Sequence, residues 1–346
     1  MKKNPKVSII ITNYNGGQVL LNCIESVKKI NYPNFELILV DDMSVDDSFQ
    51  KVLNNKGKLK IKSVINKRNL GFAGANNEGL RLAFGDYVLL LNNDTLVDRE
   101  LLRILVDRME KDSTIGVAQP KIKMMDRKGY LDNAGSFLTK TGFLSHWGFG
   151  EKDSDEFDNE RIIFSAKGAC LMIKREVVEK IGLFDKDFGS YMEESDFCWR
   201  AWTAGYKVYY LPETYIYHKL GYTFSRQVSP ININYNSFKN RILMLYKNLE
   251  TKNLFLILIP HLVILTVLSF YYLFKFQFAK FLMIVRAMIW NIKNIVTSSK
   301  KRKMIQKMRT INDDDLFKII LHKINIKKSY ADFIRVENDM DLKKVK

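Results

Sequence analysis

Between Asp86 and Asp94 the chain reads DYVLLLNND: four apolar residues in a row, Val88 to Leu91, run into two asparagines and a carboxylate. An apolar run of this length fits a strand covered on both faces, which is how parallel strands lie inside an α/β sheet. Ligands of open α/β sheets bind at the C-terminal ends of such strands, so Asp94 is delivered to the edge where a substrate would sit. Three earlier segments repeat the design. Val7 to Thr12 leads into the polar turn Asn13 to Gly17, Glu36 to Val40 leads into Asp41 and Asp42, and Ile61 to Ile65 is a third strand. Between them the apolar period becomes helical: Leu20, Cys23, Ile24, Val27 and Ile30 share one face of a helix over 18–30, and residues 73–84 read as a further helix. Ser44, Asp46 and Asp47 offer capping groups for the helix that lies between. Strand and helix signals in alternation predict βαβ units and an α/β fold, Rossmann-like, with a mostly parallel sheet and helices on both faces.

Downstream the spacing predicts a helix from Asp98 to about Lys111, a strand over 115–122, hairpins or a flap over 130–150, and a strand pair over 162–173 interrupted at Lys167 and Gly168. A short helix over 176–181 is closed by Gly182, a second runs through Ala204 to Gly205, and strands follow at 207–210 and 215–218. The composition then shifts. It predicts a catalytic domain over 1–230 and a helical region, apolar then basic, over 231–346.

Leu254 to Phe274 is 21 residues without a formal charge, long enough to cross a hydrocarbon core of ~30 Å at ~1.5 Å per residue. Pro260 and His261 lie inside it, and a proline kinks a spanning helix while a polar ring is costly in lipid. Basic residues flank both ends, so the positive-inside rule gives a single span no orientation. The formal net charge of +17 also gathers here: Lys300 to Lys303, Lys307 and Arg309 meet no acid before Asp313. Such a run attracts nucleic acid or anionic lipid. The apolar neighbour decides for lipid, because a nucleic-acid-binding domain has no use for it. The expectation is a C-terminal helical, membrane-associating segment, either a kinked hairpin or interfacial helices on the cytoplasmic face of the cell membrane. Helices that pack on themselves, or on a partner subunit of an oligomer, are the alternative.

Cys23, Cys170 and Cys198 show no CxxC spacing, which argues against a disulfide framework and a zinc site. The apolar run near the N-terminus is too short for a signal-peptide core, so the catalytic part is expected in the cytoplasm. Gly71, Gly74 and Gly79 do not form GxGxxG after a strand, which disfavours a dinucleotide fold.

Several segments, taken in order, carry a resemblance: Val7 to Asn15 (VSIIITNYN), Glu36 to Asp42 (ELILVDD) with Ser44, Asn69 to Asn77 (NLGFAGANN), Asn92 to Asp94, Gly182 to Asp185, Glu193 to Asp196, Gly205, Tyr206 and His218. Together they are similar to the family 2 glycosyltransferases, within them to the rhamnosyltransferase-like and galactofuranosyltransferase-like branch, over residues 6–230. The resemblance implies a GT-A fold, a nucleotide-diphosphate sugar donor, a divalent cation, Mn2+ or Mg2+, and inversion at the anomeric carbon. A diphosphate leaving group gathers negative charge as the glycosidic bond breaks, and a cation on hard oxygen ligands answers that need.

By motif position Asp94 is the metal-ligating acid, Asn92 stands as a neutral carbonyl where the family has another acid, and His218 completes the site. Glu194 takes the place of the base that removes the acceptor proton, where the family more often carries Asp. Asp196 is the alternative base, and Arg200 is expected on one of these acids or on the diphosphate. Thr12, Asn13, Tyr14 and Asn15 form the turn that cradles the nucleobase, and Asp41 or Asp42 would accept the imide N–H of a uridine or thymidine donor. Asn93 falls near the ribose, Asn69 in the loop near the diphosphate, and Gly168 and Ala169 in the segment lining the donor sugar.

The expected activity is transfer of one sugar, rhamnose among the candidates, from a UDP- or dTDP-linked donor to a lipid-linked or polysaccharide acceptor. Two alternatives stand beside it. A non-catalytic nucleotide-sugar-binding subunit would explain Asn92 and Glu194; a nucleotidyltransferase would need a basic glycine-rich loop after the first strand, and Asn13 to Gly17 contains no basic residue.

Overall fold

A computed structural model describes residues 4–220 and 230–322. Strands β1 (Val7–Asn13), β2 (Phe35–Asp41), β3 (Ile61–Ile65) and β4 (Tyr87–Asn92) pair in parallel in the order β4-β1-β2-β3. Helices α1 (Gly17–Val27), α2 (Ser48–Asn54) and α3 (Gly71–Leu82) connect them. Val88 to Leu91 are at most 2% exposed, so this apolar run is buried on both faces. Its side chains alternate between two apolar clusters, one on each face of the sheet: Leu89 and Leu91 pack with α1 and α2, Val88 and Leu90 with α3.

The sheet then continues beyond β4. After β5 (Thr95–Val97) and α4 (Leu101–Lys111), β6 (Ile115–Met124) runs parallel to β4 but is separated from it by one antiparallel strand. Two short antiparallel pairings make up the flap, β7 (Leu131–Asn133) on β6, and β8 (Ser136–Thr139) with β9 (Leu144–His146) as a separate hairpin. After β10 (Arg161–Ile162) comes β11 (Cys170–Lys174), the strand that inserts between β4 and β6, and then α5 (Arg175–Ile181), closed by Gly182 at φ +70°. Helix α6 (Glu193–Thr203) leads to β12 (Lys207–His218), parallel to β6. The strands expected at 207–210 and 215–218 are one strand. Its register jumps between Leu211 and Tyr215, a bulge that places Pro212 where no ladder donor is required.

Helix α7 (Pro230–Asn248), α8 (Thr251–Phe274), α9 (Phe278–Lys293), α10 (Ile295–Met308) and α11 (Asp313–Ile320) complete the described chain, and β13 (Leu321–His322) pairs with β8. The apolar cluster on the α3 face contains residues from both sides of residue 230: Phe188, Phe197 and Trp199 share it with Leu243, Met244, Leu245, Leu265 and Ile284. Residues 323–346, the end of the region expected to be basic and helical, lie outside the described residues. Leu254–Leu258 forms a wide π-type turn just before Pro260, and it absorbs the donor that proline cannot supply.

Candidate active site

The C-terminal ends of β1, β2, β4 and β12 share one edge, since all four strands run in the same direction. Asp94 follows β4 directly, and β5 beyond it pairs antiparallel with the end of β12, setting Thr95 opposite His218. Lys219 N–H donates to the Asp94 carbonyl at 2.9 Å, so the two segments are held side by side by backbone. Asp94 Oδ1 is buried, completes no hydrogen bond, and lies 3.3 Å from His218 Nε2. The other imidazole nitrogen, Nδ1, is 2.7 Å from Asp132 on β7. Asp132 is fully buried, and its second oxygen accepts Lys167 Nζ at 2.6 Å.

Burial alone would push the His218 pKa down, but the hydrogen bond with Asp132 and the negative charges of Asp94 and Asp132 outweigh it and hold it up at about 9. Burial alone would raise Asp132, yet Lys167 and His218 keep it below the usual carboxylate range.

Would a divalent cation fit these residues? An unengaged buried carboxylate oxygen faces an imidazole nitrogen whose partner nitrogen is fixed by a second carboxylate, the arrangement by which metal-ligating histidines are oriented. That donor set suits a first-row divalent ion. Among the described residues no group of three His, Cys, Asp or Glu side chains makes a closed site, so a bound ion would keep positions for phosphate oxygens and water. Asn92 keeps its backbone in the sheet: its N–H donates to Ala169 O at 3.0 Å and its carbonyl accepts from Thr95.

The acidic cluster divides across α6. At 3.6 residues per turn, positions 194 and 196 lie about 200° apart. Glu194 faces Lys167 and Gly168; a Cβ added to Gly168 would come 3.9 Å from the Glu194 carboxyl carbon and 3.3 Å from the Phe72 ring. Its Oε2 has no hydrogen-bond partner. Burial raises its pKa above the usual glutamate value, against the opposing pull of Lys167. Glu193 beside it is more deeply buried and is raised further, by burial and by the charge of Glu194.

Asp196 points the other way and is corrected as a candidate base. It is 0% exposed, and Arg200 Nε at 2.9 Å, Lys247 Nζ at 3.1 Å and Asn248 Nδ2 at 2.8 Å occupy both its oxygens. Of the two partners expected for Arg200, it takes the acid: it pairs with Asp196 and donates to the carbonyls of Ile181, Gly182 and Leu183. Both belong to a buried ionic cluster. In it Lys247, 2% exposed at its side chain, also meets Asp185 at 2.7 Å, and Lys301 meets Asp185 and Asp187.

Tyr191 and Met192 precede α6 with φ of +77° and +69°, a region that costs non-glycine residues energy. Asn240 of α7 holds this turn, donating to the carbonyls of Phe188, Ser190 and Tyr191.

On the β1 side Thr12 and Tyr14 are half-buried. Asn13 is a hub at 0% exposure: it donates to Asp41, Ser44 and Ser48 and accepts from Asn93 at 2.9 Å. Asn15, at φ +50°, accepts from Val45 N–H at 2.7 Å. Asp42 accepts the N–H groups of Leu70 and Gly71 and the amide of Asn66, all at 2.9 Å, so it caps α3 from a neighbouring strand. Asn69 is exposed and also accepts Gly71 N–H. Asn13, Asp41 and Asn93 thus hold the turns together from beneath, leaving Thr12 and Tyr14 as the more open members. Ala169 is buried beside β4, and the absence of a side chain at Gly168 lets the Phe72 ring and the Glu194 carboxyl approach this segment closely.

Asp132 was not among the residues expected from sequence. No local signal marks it, because it meets His218 only through β7 and β12, both paired to β6. The α6 split was readable from the helical angle between positions 194 and 196.

A mostly parallel sheet with a carboxylate and an imidazole at one strand edge, and a glutamate with an unengaged oxygen on α6, fits the GT-A class of transferases. Residues 8–182, just over half of the chain, match the family model described as glycosyl transferase family 2, and the chain belongs to that family. The amylovoran biosynthesis glycosyltransferase AmsB of Erwinia amylovora is 26% identical over 246 residues, 68% of this chain and 77% of that one. Chondroitin synthase of Escherichia coli is 27% identical over 135 residues, which is 39% of this chain but 20% of the relative. The mannosyltransferase PcManGT of Pyrobaculum calidifontis, solved with GDP-Man and Mn2+, superposes with a TM-score of 0.53 at 17% identity, covering 84% of this chain and 76% of that one. At that identity the likeness establishes the fold. The matches cover 15% to 37% of the length of the first three curated relatives.

Proposed function

We propose that this chain transfers one sugar from a UDP- or dTDP-linked donor to a hydroxyl of a lipid-linked or polysaccharide acceptor, with inversion, at the cytoplasmic face of the membrane during cell-surface glycan synthesis. The observation that carries the reading is Glu194. Its carboxylate keeps an oxygen unengaged, as that of Glu193 does, and it faces the Lys167–Gly168 segment, whereas Asp196 is tied up by Arg200, Lys247 and Asn248. Burial raises the proton affinity of Glu194 toward the range a general base needs.

The reaction assigns each group a task. Glu194 takes the proton of the acceptor hydroxyl as that oxygen bonds to the anomeric carbon, and the bond from that carbon to the diphosphate breaks with its electron pair leaving on phosphate. Lys167, tethered by Asp132, favours the ionised form of Glu194 through its positive charge. Thr12 and Tyr14 would border the nucleobase. Asp94 and His218, with Asn92 as a further oxygen donor, would hold a divalent cation, Mn2+ or Mg2+, which when bound neutralises charge on the departing diphosphate. Solved neighbours support such partners: one holds GDP-Man and Mn2+, another UDP-GlcNAc. Relatives named for amylovoran and O-antigen synthesis support a glycan acceptor.

The test is release of UDP or dTDP from a panel of nucleotide sugars, with and without EDTA. Cation-dependent diphosphate release supports transfer. Release of pyrophosphate would instead indicate a nucleotidyltransferase, and donor binding without release a non-catalytic subunit.

A further inference from the structure

Helix α8 has two unlike sides. His261, Leu265, Ser269 and Tyr272 recur every three or four residues and are buried against the body of the protein, with His261 Nδ1 2.8 Å from the Thr141 carbonyl in the β8–β9 turn. The opposite stripe, Phe255, Ile259, Val263, Val267, Phe270 and Phe274, keeps the same spacing and is 46% to 79% exposed. The stripe continues past the end of α8 through Phe276, 80% exposed at φ +56°, and on to Phe278, Leu282 and Ile292 of α9. An apolar band of this extent on a protein surface marks a docking site.

The charge around the band identifies what docks. Residues 251–312 contain eleven lysines and arginines and no aspartate or glutamate. Lys293 at the end of α9 and Lys300, Lys303 and Lys307 of α10, which follow the band in the chain, are exposed. A second copy of this surface would set two such fields against each other. An anionic bilayer complements both features at once: hydrocarbon for the aromatic and aliphatic stripe, phosphate for the lysines.

The buried stripe decides how α8 meets the lipid. The helix is 24 residues long, and an 18-residue window of it has a mean hydropathy of 2.4, which would suffice to span. A spanning helix, however, would carry the β8–β9 turn and its His261 contact into hydrocarbon, where irregular backbone is not tolerated against lipid. We infer that α8 and α9 form a monotopic hairpin lying in the headgroup and upper acyl layer of an anionic leaflet, its Phe274-Phe276-Phe278 turn inserted deepest and the lysines of α9 and α10 on the phosphates. The inference rests on, and sharpens, the membrane localisation proposed above.

The experiment uses the full chain with Phe276→Cys, labelled with an environment-sensitive dye. The three native cysteines are buried, so labelling is selective. Co-flotation with phosphatidylcholine vesicles containing 30% phosphatidylglycerol is expected to exceed that with pure phosphatidylcholine at least roughly tenfold and to fall in 0.5 M salt. The dye should shift to the blue on the anionic vesicles. The double variant Val267→Asp/Phe274→Asp should lose at least tenfold in flotation with an unchanged melting temperature, because both side chains are exposed. Absence of flotation on either vesicle, or concentration-dependent dimerisation without it, would overturn the inference. So would labelling of Phe276→Cys by an impermeant maleimide trapped inside sealed vesicles, which would mean the turn crosses. Binding of UDP and dTDP in the same samples is read separately, so failed flotation with intact nucleotide binding leaves the transfer reading standing.

Discussion

Replacing Lys247 by methionine tests whether α7 is part of the catalytic body. The ammonium group lies 2.7 Å from Asp185 and 3.1 Å from Asp196 and is almost fully buried. With an effective dielectric of about 20, two such contacts are worth about 6 and 5 kcal/mol of gross attraction. Desolvation of three charged groups consumes much of that, and Lys301, Arg200 and Asn248 remain to hold the two acids. Methionine keeps the unbranched shape and most of the length of the side chain but leaves two buried carboxylates short of a cation, so the expected loss is about 3–5 kcal/mol. In urea, with a slope of about 3 kcal/mol per M, the midpoint should fall by at least about 1 M. Asp185 and Asp196 both have pKa values lowered in the folded protein: burial would raise them, but Lys247 with Lys301 or Arg200 prevails. Their contribution is therefore present above the unfolded value of about 3.9 and lost as pH falls through the lower folded values. The gap between Lys247→Met and the parent should be widest near neutrality and shrink below about pH 4. A loss under about 1 kcal/mol at pH 7, or a gap that grows with acid, would refute the argument.

The cleft makes its own predictions. Glu194→Gln should lower turnover by roughly 10²–10⁴-fold with nucleotide binding unchanged, measured by diphosphate release and calorimetry. The same variant should melt higher at neutral pH: a glutamate whose folded pKa is raised costs stability once pH climbs above its unfolded value of about 4.3, and Gln removes the charge. In the parent enzyme turnover should decline on the acid side with an inflection above about 4.3; an inflection at or below that value would exclude Glu194 as the base. Asp132→Asn should raise the Mn2+ concentration needed for half-maximal turnover by roughly 10–100-fold, because His218 loses the partner that orients it. An unchanged Mn2+ dependence would remove Asp132 from that role.

Strand and helix order up to about residue 124 was legible because it is written in local periods: apolar runs such as Val88 to Leu91, helical repeats such as Leu20 to Val27, and carboxylates at strand ends. Asp94 stood out by its place at a strand end, whereas Glu194 and His218 were singled out by their positions in the motifs that resemble the family 2 glycosyltransferases. Features that arise from contact between distant segments were not readable. The joining of 207–210 to 215–218 depends on a bulge against β6, and the Asp132–His218–Asp94 chain on β5, β6, β7 and β12 meeting. The fate of Asp196 depended on Lys247 and Asn248, about fifty residues downstream. The amino-acid order alone thus determined an α/β sheet with acids along one edge, because periodicity and strand termini act within a few residues. Tertiary packing alone decided which of those acids keeps an oxygen unengaged and which is buried under a cation, because charge burial is settled by whichever helix arrives from far along the chain.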